Sequence, residues 1–259
     1  MPTALITGAS SGLGEEFAHQ LAREHFALVL VARREDRLRT VADHATRLGA
    51  PSVTVLASDL AKPDSAAELQ RKVAAAQLEI DWLVNNAGFG TNGRFDQLPI
   101  EKELEEINLN VTSLVALTRL FLPTMVARHR GTIVNVASTA AFQPIPWMAT
   151  YGATKAFVLS FSEALAHELR GSGVNVLALC PGATRTEFQA VANNADAGIP
   201  SFAYMDAATV VRQGIASAKR GQTVRINGFS NLLMAEVTRL VPRSLAARVA
   251  GALFRHENS

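Results

Sequence analysis

In "YGATK" (151–155), Tyr151 and Lys155 stand four residues apart, a separation that puts both on one face of a helix. A free tyrosine has a pKa of about 10, too high for efficient proton exchange near neutrality. A nearby ammonium favours the phenolate and lowers that value; a downward shift of about three units corresponds to roughly 4 kcal/mol. Such a pair can move a proton to or from an oxygen atom. Taken alone it reads as readily as two polar residues on a solvated helix face, so its meaning depends on what the rest of the chain aims at it.

The loop "TGASSGLG" (7–14) joins an apolar run to a helical one. Gly8, Gly12 and Gly14 allow a tight turn and close approach of a pyrophosphate, with Ser10, Ser11 and Leu13 in the same cradle and a helix amino terminus beyond it. The spacing Gly-x-x-x-Gly-x-Gly differs from the commoner Gly-x-Gly-x-x-Gly, and the Lys-Ser/Thr ending of a nucleoside triphosphate loop is missing. After the second apolar run comes "VARRED" (31–36). An acidic residue there would accept from an adenosine ribose; Arg33 and, second to it, Arg34 favour a ribose carrying a 2′-phosphate. NADP(H) is therefore expected over NAD(H). Asp59 and Leu60 in "ASDL" and Asn86, Ala87 and Gly88 in "NNAG" end later runs and would line the same crevice, although a helix cap and a plain turn explain them equally well.

The elements that must position these residues follow from the hydrophobic pattern. Short β-rich runs alternate with helical segments: "TALIT", 13–25, "ALVLVA", 35–48, "SVTVLAS", 64–78, "DWLVNNA", 101–128, "GTIVNVAS", 151–170 and "NVLALC". This alternation predicts an α/β fold, a doubly wound parallel sheet flanked by helices on both faces. One domain is expected over 1–259. Irregular sequence gathers at "FQPIPWMA" (142–149) and from Pro181 to about Met205; both follow strands, which marks about 183–206 as a substrate loop at the carboxyl edge of the sheet.

In order along residues 3 to 190, "TGASSGLG", "ASDL", "NNAG", "INLNV", "VNVAS", "YGATK" and "CPGATRT" resemble the short-chain dehydrogenase/reductase family in its compact single-domain Rossmann branch. The resemblance implies a catalytic tetrad of Asn110, Ser138, Tyr151 and Lys155, with Ser138 thirteen residues before the tyrosine and Asn108 the fallback for the asparagine. It implies that hydride passes between a nicotinamide and a carbonyl carbon while Tyr151 gives or takes the proton and Ser138 holds the oxygen. Lys155 would also bind the nicotinamide ribose, and Asn110 would hold a water leading to solvent. The positive nicotinamide of the oxidised cofactor would add to the lowering of the Tyr151 pKa. In "CPGATRT", Pro181 and Gly182 turn the chain, and Thr184 and Thr186 would hold the carboxamide.

The site walls are expected to include Ala140, Phe142, Gln143, Trp147 and Phe188, with Phe89 and Phe202 beside them; this apolar set favours a hydrophobic ketone, aldehyde or secondary alcohol. With 259 residues, 48% hydrophobic and 19% charged, the chain has the makings of one globular enzyme, and a net charge of +2 without basic blocks argues against nucleic acid. A lone cysteine, Cys180, excludes an intrachain disulfide, reads as a core residue and fits a reducing, cytoplasmic setting. The six histidines show no metal spacing, so no metal is expected. The strand expected at 3–7 runs straight into the glycine loop with no charged and apolar leader pattern ahead of it, so secretion is not expected, and no apolar run approaches the roughly 20 residues needed to span a bilayer.

Residues 231–259 depart from the family's short ending. Leu232, Leu233, Val237, Leu240 and Val241, then Leu245, Val249 and Leu253 beyond Pro242, predict two short amphipathic helices within about 230–256, with Arg239, Arg243, Arg248 and Arg255 beside them. They would cover the cleft, pack between subunits or rest on a membrane surface, the last being the least common outcome. A homodimer or homotetramer is expected, with helices 101–128 and 151–170 as the dimer surface. The main alternatives are a catalytically silent dinucleotide-binding regulatory protein and a methyltransferase on a similar sheet, neither of which needs the Tyr-x-x-x-Lys pair.

Overall fold

The computed structural model describes residues 1–188, 204–238 and 240–254. Phe202, Arg239, Arg255 and the 189–203 part of the expected substrate loop lie outside the described residues, as does the side chain of Leu253.

A parallel sheet forms the centre, in the order β3-β2-β1-β4-β5-β6-β7. Its strands are β1 (Thr3–Thr7), β2 (Ala27–Ala32), β3 (Val53–Ala57), β4 (Trp82–Asn85), β5 (Gly131–Val136), β6 (Val174–Cys180) and β7 (Val224–Ile226). Successive strand residues point to opposite faces, so a sheet covered on both sides needs continuous apolar runs. Ala4 and Ile6 of β1 and Leu28 and Leu30 of β2 enter one core, with Phe17 and Leu21 of α1 (Gly12–Arg23) and Leu38 and Val41 of α2 (Glu35–Arg47). The intervening Leu5, Val29 and Val31 enter the other, with Leu69 and Val73 of α3 (Ser65–Ala75). The strand order reverses between β1 and β4, which opens a crevice at their carboxyl ends.

The expected 101–128 helix is one continuous element of two α segments, α4 (Ile100–Ile107) and α5 (Leu114–Ala127), joined by a π-helical turn at Asn108–Ser113. Contrary to the sequence expectation, this 28-residue helix is long and apolar enough, by length and composition, to cross a membrane. Its apolarity has a place in the fold, because Leu117, Phe121 and Met125 pack into the core with Leu69 and Leu83. Helix α6 (Ala149–Glu168) follows β5, α7 (Ala207–Lys219) lies beside α1, and the two carboxy-terminal helices are α8 (Phe229–Thr238) and α9 (Arg243–Phe254). Pro242 divides the last two as its missing N–H requires, and its carbonyl accepts from Leu245 at the start of α9.

A buried polar chain fixes the helix that carries Tyr151. Asn85 Nδ2 donates to Thr118 Oγ1 (3.1 Å) and to Asn135 Oδ1 (2.9 Å), Asn135 Nδ2 donates to Ser162 Oγ (2.9 Å), and Ser162 donates to the Val158 carbonyl (2.7 Å). It ties β4 and β5 to α5 and α6. Truncation in Asn135→Ala leaves one buried Asn85 N–H without its acceptor and Ser162 Oγ without its donor, and is expected to destabilise the protein by about 1–3 kcal/mol, read as a lower urea midpoint with an unchanged m-value.

Candidate active site

One cavity of about 700 Å³ runs along the crevice, from the glycine loop past the ends of β4 and β5 to α6 and α8. Gly8 and Gly12 have φ of 65° and 59°, the left-handed region that glycine enters without cost. A Cβ on Gly8 would stand 2.8 Å from Asn86 Nδ2 and 2.9 Å from Ala87 Cα, so the loop and the "NNAG" turn touch through backbone. Asn86 completes that contact by donating to the Thr7 carbonyl (2.9 Å) and the Gly8 carbonyl (3.3 Å). Gly14 packs against Gly8 and Asn86 and does not line the cavity: its role is closeness of helix to strand.

At the adenosine end the cavity is lined by Ala32, Arg33, Arg34, Ser58, Asp59 and Leu60. Asp59 Oδ1 accepts from Ala61 N (3.2 Å), the local turn that the sequence also allowed. Arg34 donates to Ser11 Oγ (3.0 Å) and Ser10 Oγ (3.3 Å) and pairs with Glu187 (2.8 Å). Arg33 is more exposed and, among the described residues, pairs with Glu105 (3.2 Å), a carboxylate that also accepts from Lys102.

At the other end, Tyr151 and Lys155 are both buried and face the same space. Ser138 lines the cavity beside Tyr151, and its Oγ accepts from Ala140 N (3.1 Å). Lys155 Nζ donates to the Val136 carbonyl (2.8 Å) and lies 5.7 Å from the centre of the Tyr151 ring. Burial pushes Lys155 down to about 8, opposed by the Glu106 carboxyl. Burial likewise pushes Tyr151 up to about 12, the opposite of the expected direction, with the nearby Ser138 hydroxyl pulling the other way. The sequence expectation counted favourable charges and left out desolvation, which dominates in the protein alone.

Asn110 is buried and Asn108 exposed. The π turn swings Asn110 inward behind Gly88, where Nδ2 donates to the Phe89 carbonyl (2.8 Å) and Thr154 Oγ1 (3.1 Å) and Oδ1 accepts from Phe89 N (3.1 Å). A Cβ on Gly88 would lie 2.8 Å from Asn110 Oδ1 and 3.5 Å from Lys155 Nζ, so Gly88 is what lets the two approach the same spot. One lone pair of Oδ1 remains for a water there.

After β6, Pro181, Gly182, Thr184 and Thr186 line the cavity, and Thr186 packs toward Gly12 across it. Of the expected substrate walls, Ala140, Gln143 and Phe188 line the cavity together with Phe89, and the Phe188 ring sits 5.2 Å from that of Tyr151. Phe142 and Trp147 do not. Phe142 packs into the core with Leu114 and Val158, and Trp147 takes a φ of 70° and gives its carbonyl to Gly93 N (2.8 Å). Ile145 and Met148 take their places, as the chain turns at the prolines and brings these two inward. Asn231 and Met234 of α8 complete the wall. Sequence reading missed both as site residues, though it proposed that this segment covers the cleft. Cys180 is fully buried with its thiol pushed up to about 12 by burial, as an inert core residue should be. Among the described residues no cluster of His, Cys, Asp or Glu could hold a metal ion.

Comparison with known proteins converges on one description. The family model described as short chain dehydrogenase matches residues 2–197. An uncharacterized oxidoreductase of Myxococcus xanthus is 39% identical over 191 residues, 74% of this chain and 75% of that protein. A short-chain dehydrogenase from Sphingobium yanoikuyae, solved in complex with NADPH, superposes with a TM-score of 0.83 at 34% identity, covering 100% of this chain and 98% of that one. The bulky-bulky ketone specific alcohol dehydrogenase from Comamonas testosteroni gives 0.79 at 30% identity, covering 100% and 97%.

Proposed function

The chain belongs to the short-chain dehydrogenase/reductase family, and from that premise we propose that it is an NADP(H)-dependent oxidoreductase of bulky hydrophobic ketones, aldehydes or secondary alcohols, with Tyr151 as general acid/base. The observation that carries this reading is that Ser138, Tyr151 and Lys155 line one cavity together, at the point where its polar, glycine-lined part meets its apolar part.

The residues present fit a dinucleotide. Glycine backbone at 8 and 12 leaves a cradle for the pyrophosphate, the amino end of α1 favours its charge, and Thr184 and Thr186 face the nicotinamide end. What the cofactor supplies when bound is a hydride, given or taken at the substrate carbon. Ser138 and Tyr151 hold the substrate oxygen, and Tyr151 donates its proton as charge develops there. Lys155, with its ammonium near the phenol, stabilises the phenolate left behind, and the open lone pair of Asn110 suits a water through which the proton is restored. Alcohol oxidation runs through the same groups in reverse.

Arg33 is the group we assign to the 2′-phosphate. Arg34 has its charge met by Glu187 and its donors engaged by Ser10 and Ser11, whereas Arg33 is largely exposed and shares its carboxylate with Lys102. Phe89, Ile145, Met148, Phe188 and Met234 give the apolar wall, and the similarity to an alcohol dehydrogenase specific for bulky-bulky ketones supports a large substrate. A homodimer through α4, α5 and α6 is supported by the exposed Leu104, Ile107, Leu120 and Phe157. We place the enzyme in the cytoplasm on the strength of its single, buried thiol.

The reading is tested by a panel of ketones and alcohols assayed through nicotinamide absorbance with NADPH, NADH and their oxidised forms. Turnover of bulky apolar ketones with NADPH is expected; turnover confined to small or anionic carbonyls would refute the substrate class.

A further inference from the structure

Directly behind the tetrad lie two buried carboxyl groups, Glu103 and Glu106, one helical turn apart on α4. Both reach Thr91, in the loop that follows "NNAG". Thr91 Oγ1 is 2.6 Å from Glu103 Oε1 and 2.9 Å from Glu106 Oε2, and Thr91 N donates to Glu106 Oε2 (2.9 Å). Glu103 Oε2 accepts in turn from Thr150 Oγ1, the residue before Tyr151. Glu106 Oε1 is buried and has no hydrogen-bond partner among the described residues.

A hydroxyl carries one proton. Donated to Glu103, it leaves the Thr91–Glu106 contact favourable only if Glu106 brings a proton of its own. We propose that Glu106 holds one acid proton, shared through the Thr91 hydrogen bonds with Glu103, and that this pair is a positioning element that holds the 89–93 loop and Thr150 against the start of α6 and so sets Tyr151.

Burial raises the Glu106 pKa to about 7, with Glu103 adding to the rise and Thr91 and Lys155 opposing it. Besides each other on α4, the groups facing the two carboxyls are Thr91 in the loop, Thr150 at Glu103, and Tyr151 and Lys155 on α6 at Glu106. Loss of the Glu106 proton places a negative charge near Tyr151 and Lys155. That charge raises both pKa values and disfavours the phenolate needed for alcohol oxidation.

The kinetic consequence rests on the assignment of Tyr151 above; the shared proton does not. The test is the infrared spectrum of the full chain in deuterated buffer, compared between about pH 6 and about pH 9. The native protein is expected to show the carbonyl stretch of one buried protonated carboxyl at the lower pH. The band should disappear at the higher pH and be absent from Glu106→Gln. A native protein without a band that titrates in this range overturns the proposal, whatever the enzyme's activity, and this measurement stands even if Glu106→Gln does not fold.

Glu106→Gln keeps the shape and cannot titrate, so the inflection near neutral pH in its alcohol-oxidation profile should vanish. An unchanged inflection in a folded Glu106→Gln also counts against the shared proton. Thr91→Val removes the linking hydroxyl and should lower kcat roughly tenfold, less than the hundredfold of a full displacement, without changing the cofactor KM. A folded Thr91→Val with native kcat overturns the positioning role.

Discussion

Replacing Tyr151 with phenylalanine is expected to lower kcat for ketone reduction by about a hundredfold to ten-thousandfold, the usual worth of a positioned proton donor. The affinity for NADPH stays within about threefold, since the ring and its packing against Phe188, Ile145 and Met148 are kept. Only the oxygen is lost. Stopped-flow binding together with steady-state kinetics separates the two effects. The direction of catalysis adds a second signature. With burial holding Tyr151 at about 12, the phenol is protonated throughout the neutral range, so reduction has its acid ready. Oxidation needs the phenolate, a small fraction that grows with pH, so the native oxidation rate rises from neutral toward alkaline pH and the Tyr151→Phe rate has no such dependence. Native-like turnover by the variant would remove Tyr151 from the chemistry.

Replacing Arg33 with alanine raises the KM for NADPH by about tenfold to a hundredfold, corresponding to the roughly 1.5–3 kcal/mol of a hydrogen bond to a charged group. NADH, which has no 2′-phosphate, is expected to change by less than about threefold in the same variant. Arg34→Ala behaves differently. Its guanidinium also braces Ser10, Ser11 and Glu187, so its loss should weaken both cofactors. Parallel KM values for both nucleotides in the two variants check the division of labour. Equal losses for NADH and NADPH in Arg33→Ala would show that Arg33 does not read the phosphate.

The part of the fold legible in the sequence was the part made of long or fully apolar runs. β1, β2 and β6 are buried on both faces and their runs show it, and Pro242 parts the last two helices where its ring chemistry demands. β7 is three residues, Val224–Ile226, too short for a periodic pattern, and only its pairing with β6 defines it. The π turn at Asn108–Ser113 has no composition of its own. Its consequence, an inward Asn110 and an exposed Asn108, follows from the backbone path and not from residue type.

The same contrast holds in the site. Tyr151, Lys155, Ser138 and the glycine loop sit at strand ends or on one helix face, where spacing carries the geometry. Phe142 and Trp147 were expected in the wall because they are large and lie near the site in sequence. The proline-rich segment turns them out and brings Ile145 and Met148 in, an inversion that no periodicity announces. Glu103 and Glu106 lie on a helix rich in acidic residues, and nothing in "EKELEEI" separates the two buried carboxyls from the exposed Glu101 or the half-buried Glu105. Asn231 and Met234 come from a segment far along the chain and meet the cavity only through the packing of α8 on the turn at Thr139–Phe142.

Hydride transfer with proton donation by Tyr151 is tested most directly by following the label from NADPH deuterated at the transferring position of its nicotinamide into a bulky apolar ketone. The native enzyme is expected to place deuterium on the carbinol carbon of the product alcohol, with single-turnover transfer by Tyr151→Phe reduced at least about a hundredfold. Product without deuterium at that carbon, or equal single-turnover rates in the two proteins, would contradict it.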